Sequence, residues 1–201
     1  MHAWSKEIID FAIKNAISYT DFDKKQATRK NVEKYLKARK PNFVIFNGHG
    51  PIDSTAILGH NDEALIETGK NTDLLKDTIV YARACCSSKI LGREIISKNN
   101  KNAFIGYSNL FSWIHSADRE CNPYKDKIAE PFKLVSNEIP MSILKGHTTY
   151  EAHERAQELC MKLIQEYSAT GNEELDKETR FWLFVDMTIQ EHRGNPEARF
   201  Q

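Results

Sequence analysis

Apolar positions along this chain follow two different periods, and the switches between them mark out its elements. Trp4 to about Asn15 (WSKEIIDFAIKN) mixes charged and apolar residues at the spacing of an amphipathic helix. AISYTDF, just after it, reads as a short strand. Asp23 to about Arg39 predicts a second helix, with Val32 and Leu36 on one face and Pro41 ending it. The period then changes. Asn42 to Asn47 (NFVIFN) is a continuous apolar run, the pattern of a strand buried on both faces. Residues 51–70 look like a loop. Leu74 to Cys85, containing DTIVYARACC, predicts a second buried strand, residues 87–99 a helix, and residues 102–108 (NAFIGYS) a third strand. Residues 112–131 are polar and irregular. His147 to Ala169 carries the strongest helical pattern. Thr148 and Glu151 have capping-box spacing, Ala152, Ala156, Leu159, Cys160, Leu163, Ile164 and Tyr167 share one face, and Gly171 follows the end. Leu175 to about Val185 predicts a last helix and Met187 to His192 a last strand.

Strand and helix alternate with short connections, which predicts an α/β fold with a mostly parallel sheet flanked by helices. A chain of 201 residues suits one domain, 1–201. Composition narrows the partners. Lys+Arg and Asp+Glu are 28 each, so net charge gives no reason to expect nucleic acid or an anionic membrane. The basic stretch 23–40 reads as a solvated helix face. No run approaches the length of a membrane span, and the N-terminus does not resemble a signal peptide. The expectation is a soluble, cytoplasmic protein. Two of the four cysteines, Cys85 and Cys86, are adjacent, which argues against a secreted disulfide framework. With no C-x-x-C pair, a structural zinc site is not expected. The chain calls for no cofactor. His147, His153, Glu151 and Glu154 read as an exposed helix start rather than a metal site. His60, Asp62 and Glu63 lie in a polar loop. Phe181, Trp182 and Phe184 read as core or interface.

In open parallel sheets, ligands gather beyond the carboxyl ends of the strands. Two such ends carry chemistry here: NGHG after the first apolar run and RACCSS after the second. A thiol becomes a strong nucleophile when an imidazole takes its proton, and the attacked carbonyl then needs backbone N–H donors. A glycine beside the histidine lets the backbone approach a substrate closely. His49, Gly50 and a cysteine at the neighbouring strand end supply those parts.

FNGHG followed by a strand ending in ARACCSS resembles the caspase-like cysteine peptidases, which include caspases, metacaspases, legumain, separase, gingipains and bacterial CHAT-type peptidases. The likeness is strongest to the gingipain and CHAT branches. AFIGYSNLF resembles their strand after the cysteine, SILKGHTTYEAHERAQELC a later helix, and GNPEARF the Gly-Asp-Pro close of gingipain-like domains. It covers about 25–110 well and 140–201 loosely. The resemblance implies a three-layer caspase-like fold and a His49–Cys85 dyad acting on a protein or peptide substrate. Gly50 and Cys85 would supply the oxyanion N–H groups. Cys85 follows Ala84 as in the family's Ala-Cys pattern, with Ser88 replacing the family's glycine. Cys86 is the other candidate, by the separase pattern, with Lys89 replacing glycine.

Arg83 lies two residues before Cys85 and should share its face of the strand. At the family's equivalent position a residue often lines the pocket for the side chain before the cut, so Arg83 implies cleavage after Asp or Glu. Arg83 and Asp53 are thus the candidate substrate-binding residues; in the alternative, Arg83 pairs with a structural acid such as Asp53. Asp118, Glu120 and Glu130 mark the 112–131 loop for self-cleavage. Caspase-like domains begin with a strand, whereas this chain begins with a helix. A missing or reduced first strand leaves an open sheet edge for a partner chain or self-association to complete. The rival readings are an inactive caspase-like adaptor and a different α/β hydrolase using the cysteine on a small ester or amide.

Overall fold

The structure, a computed structural model, describes residues 2–98, 100–116, 125–168 and 173–201. A 3-10 turn (His2–Ser5), α1 (Lys6–Lys14) and α2 (Arg29–Arg39) precede the first strand, β1 (Phe43–Asn47). The hairpin of β2 (Ala56–Leu58) and β3 (Ala64–Glu67) follows, then β4 (Ile79–Arg83), α3 (Arg93–Ser97) and β5 (Ala103–Tyr107). Three helices, α4 (Glu130–Leu144), α5 (Thr149–Glu166) and α6 (Glu173–Ile189), lead to β6 (Gln190–Gly194).

The main sheet has the order β1-β4-β5-β6. The first two pairings are parallel and β5–β6 is antiparallel. Alternation along the strands builds a separate core on each face. On one face Val80, Ala82 and Phe104 meet Val32 and Leu36 of α2, Leu91, Ile95 of α3 and the β2–β3 hairpin. On the other, Tyr81, Ile105 and Tyr107 meet α4, α5, Leu183 of α6 and Trp4. The chain is therefore α/β, with a mostly parallel sheet between helices. Among the described residues no helix is long and apolar enough to cross a membrane.

Local chemistry sets the helix ends. The Asn31 N–H donates to Thr28 Oγ1 at 3.3 Å, and α2 closes on Lys40 in the left-handed conformation just before Pro41. Thr28 is extended, so the helix expected from Asp23 is interrupted: residues 24–26 form a separate 3-10 turn. At α5 both halves of the capping box form, with Glu151 N–H to Thr148 Oγ1 at 3.0 Å and Thr148 N–H to Glu151 Oε2 at 2.8 Å. Its buried stripe is Ala152, Ala156, Cys160 and Leu163; Gly171 lies outside the described residues.

Other expectations are corrected. AISYTDF forms no strand. Residues 51–70 hold the β2–β3 hairpin, joined through a tight turn in which Asn61 and Asp62 have positive φ. The second apolar run is a strand only from Ile79, because Thr72–Leu75 forms a 3-10 turn. The helix over 87–99 opens with a π turn at Ser88–Gly92. α4 was not anticipated at all. β1, expected to be buried on both faces, is an edge strand in which Phe43, Val44 and Ile45 are only partly buried.

Candidate functional site

β1 and β4 reach their carboxyl ends side by side, because Asn47 is the register partner of Arg83. The last ladder bond runs from Gly48 N–H to the Arg83 carbonyl at 3.3 Å. His49 then turns to the hairpin: its N–H donates to Leu58 O at 3.3 Å, and its carbonyl accepts from Leu58 N–H at 2.8 Å. Room, not left-handed backbone, explains the two glycines. A Cβ on Gly48 would sit 2.3 Å from the Leu58 carbonyl oxygen, and one on Gly50 would sit 1.8 Å from that of Cys85. The backbone of Gly50 therefore lies directly against the backbone of Cys85. His49 is exposed beside this contact. Among the described residues neither the Gly50 N–H nor the Cys85 N–H donates to another residue's acceptor.

Cys85 is half-buried against the core formed with α4 to α6. Its thiol donates to the Phe111 carbonyl at 3.8 Å. Burial pushes this thiol above an ordinary cysteine; the Phe111 backbone pulls it back, and Cys86 and Asp186 add to the rise. The thiol is thus protonated at neutral pH in this arrangement. Cys86 has φ of 55° and is buried, its N–H held by the Asn109 carbonyl at 2.9 Å. The segment after β5 therefore closes over both cysteines, at the carboxyl end of a third parallel strand.

Sequence reasoning missed what holds that segment. Ser112 N–H donates to Asp186 Oδ1 at 3.0 Å, and the other oxygen of this buried carboxyl has no partner among the described residues. Burial pushes Asp186 up to about 8 against the opposing bond from Ser112. The available signal was a single acid in the apolar window FWLFVDM. Phe111 and Asn109 gave none, because they act through backbone carbonyls.

Arg83 is 0% exposed. Its guanidinium donates to Asn47 Oδ1 at 2.9 Å, Asn137 Oδ1 at 2.6 Å and Ser136 O at 3.1 Å, while Nε has no acceptor among the described residues. It lies over the rings of Trp4 (5.5 Å) and Tyr81 (5.6 Å). The acid behind it, Glu7, is reached only through Asn137, whose Nδ2 donates to Glu7 Oε2 at 3.0 Å. The Arg83–Asp53 pairing is corrected by this geometry. Asp53 is exposed, and its Oδ1 accepts from Thr55 N–H (3.1 Å) and Oγ1 (2.8 Å), a local turn contact. Of the cleavage-loop acids, Asp118 and Glu120 lie outside the described residues, and Glu130 is the first residue of α4. His147 sits 3.7 Å from Glu151 at the start of α5, and His60 lies in the hairpin turn. Phe181 and Phe184 are exposed on α6.

The fold thus brings His49, Gly50 and Cys85 together at neighbouring strand ends, sets Arg83 beneath them and leaves Asp53 apart. No protein-family model and no curated protein matches this chain.

Proposed function

We propose that this chain is a caspase-like cysteine peptidase with a His49–Cys85 dyad. The observation that carries the reading is the backbone contact between Gly50 and Cys85, which sets histidine and thiol at adjacent carboxyl ends of parallel strands. In the reaction, the Cys85 thiol leaves Phe111 and gives its proton to the His49 imidazole. The thiolate attacks the substrate carbonyl, forming the C–S bond. The carbonyl oxygen takes the negative charge and is met by the Gly50 and Cys85 N–H groups. His49 then returns the proton to the departing amine as the C–N bond breaks. It next takes a proton from water, which attacks the thioester and regenerates the thiol as the acid product leaves.

The proposed preference for Asp or Glu before the cut rests on Arg83. Among the described residues this cation is held by neutral acceptors only, and a substrate carboxylate would supply the missing charge once the cover over the fully buried guanidinium opens. Peptides differing only at that position test this. Faster cleavage after Asp or Glu is expected, and a clear preference for Lys or Arg rejects it.

The protonated thiol resting on Phe111 favours a second reading, a caspase-like adaptor without catalysis. Iodoacetamide at neutral pH, with the alkylated residue mapped, separates the two. A peptidase gives fast modification at Cys85, slowed at least about tenfold in His49→Ala. Uniformly slow cysteines in the wild type reject the dyad and support the adaptor.

A further inference from the structure

The free edge of β1 carries an unfilled strand position. Ladder bonds Ile79 N–H to Asn42 O (2.8 Å) and Gly48 N–H to Arg83 O fix which residues of β1 face β4. In a parallel pair the backbone groups of alternate residues point to opposite sides. Asn42, Val44, Phe46 and Gly48 therefore face β4, and Phe43, Ile45 and Asn47 turn their N–H and C=O groups to the open edge. Among the described residues none of those groups has a backbone or side-chain partner. Along this edge runs a cavity of about 660 Å³. Ile8 and Ala12 of α1 wall it on one face of the sheet, and Val32 and Leu36 of α2 on the other. Phe200 closes one end, packed on Phe43 with ring centroids 6.3 Å apart. At the other end Asn47 Nδ2 donates to Ser5 Oγ at 2.9 Å.

We propose that this groove is a docking site for one extended apolar segment, about five residues long, supplied by another polypeptide and hydrogen-bonded to β1 as an added strand. Three features select that occupant. Donors and acceptors recurring at every second residue are matched only by another strand. Helices overhang the edge on both faces, so residues of the added strand meet apolar walls on either side. β1 itself (FVIFN) carries none of the charge, proline or bulge that protects an exposed edge. Residues 17–22 also line the groove, so an occupant must fit between them and β1, which suits a single strand rather than the edge of a second whole sheet. Docking requires no catalysis at Cys85, although Asn47 of this edge also accepts from Arg83.

The test is amide hydrogen exchange read by NMR, with the synthetic peptide Lys-Lys-Val-Ile-Val-Ile-Val-Lys-Lys as probe. Peptide should protect the Phe43, Ile45 and Asn47 amides and leave Val44 and Phe46, already in the β4 ladder, unchanged. Ile45→Pro removes one edge donor without touching that ladder, and should weaken binding about fivefold to tenfold. Ala12→Phe fills the groove from α1 and should weaken binding in a folded protein should the proline variant fail to fold. Equal affinity in the folded variants, or no protection at the three amides, overturns the proposal. Protection in the free protein at low concentration assigns the edge to residues 17–22 instead, and protection rising with protein concentration assigns it to a second copy; both overturn it.

Discussion

Asp186 shows how a single carboxyl can couple stability to pH. Its folded value, about 8, lies far above the ordinary 3.8, so the native state keeps a proton that the unfolded chain releases between those limits. Stability contributed by this group is full below about pH 4, declines as pH rises toward 8 and is flat beyond. Asp186→Asn keeps an oxygen for Ser112 N–H and cannot ionise. The variant's melting temperature should pull ahead of the wild type as pH rises from 4 to 8, then hold a constant lead. Parallel curves across that range would remove Asp186 as the cause. The same residue marks the limit of sequence reading at this scale. His49, Gly50 and Cys85 were legible because each announces itself locally, by flanking glycines or a strand end. Phe111 reaches the thiol through a main-chain oxygen, and Asp186 holds that segment through Ser112 N–H, both from distant parts of the sequence. Arg83 was placed on the correct strand, but two of its partners, Asn137 and Ser136, lie on a helix the pattern did not reveal.

Helices were legible in proportion to how fully their ends and stripes obeyed local rules. α5 has a complete capping box and an unbroken apolar stripe, and its start was readable to within a residue or two. Thr148→Ala removes the oxygen that Glu151 N–H uses, at a cost of about 1 kcal/mol. Thermal unfolding should shift down by about 2–4 °C for a domain of this size; an unchanged midpoint would mean that the tertiary contacts of α5 hold its first turn unaided. α4 (EPFKLVSNEIPMSIL) has the opposite character. It has no side-chain cap bond, and Pro140 sits inside it, removing a donor in mid-helix. Burial of Phe132, Val135, Ile139 and Ile143 overrides that local cost, and burial is invisible before the partner surface is known. The hairpin β2–β3 was hidden for a related reason. Its strands have three and four residues, too few for a period to declare itself.

Across the whole molecule, one sheet divides two cores, and Trp4, Trp113 and Trp182 all belong to the same one. Leu91 lies in the other, fully buried. Leu91→Ala should cost about 2–5 kcal/mol. Because β4 and β5 contribute side chains to both cores, tryptophan fluorescence should report the same lowered midpoint as far-UV circular dichroism, although the mutation is on the opposite face. Two separated transitions would show that the layers unfold independently. The order of the strands has a further consequence for how the chain is made. β1, β4 and β5 leave the ribosome in sequence, so the strand ends bearing His49 and Cys85 can pair early. The antiparallel neighbour of β5, from Ala103↔Gly194 to Tyr107↔Gln190, is synthesised only after three intervening helices. Until then the nascent sheet presents a bare apolar margin along β5 as well as along β1. Long-range closure of this kind slows folding and exposes sticky intermediates. Yield during expression should therefore depend on synthesis rate and chaperone supply more than on the stability of the finished protein.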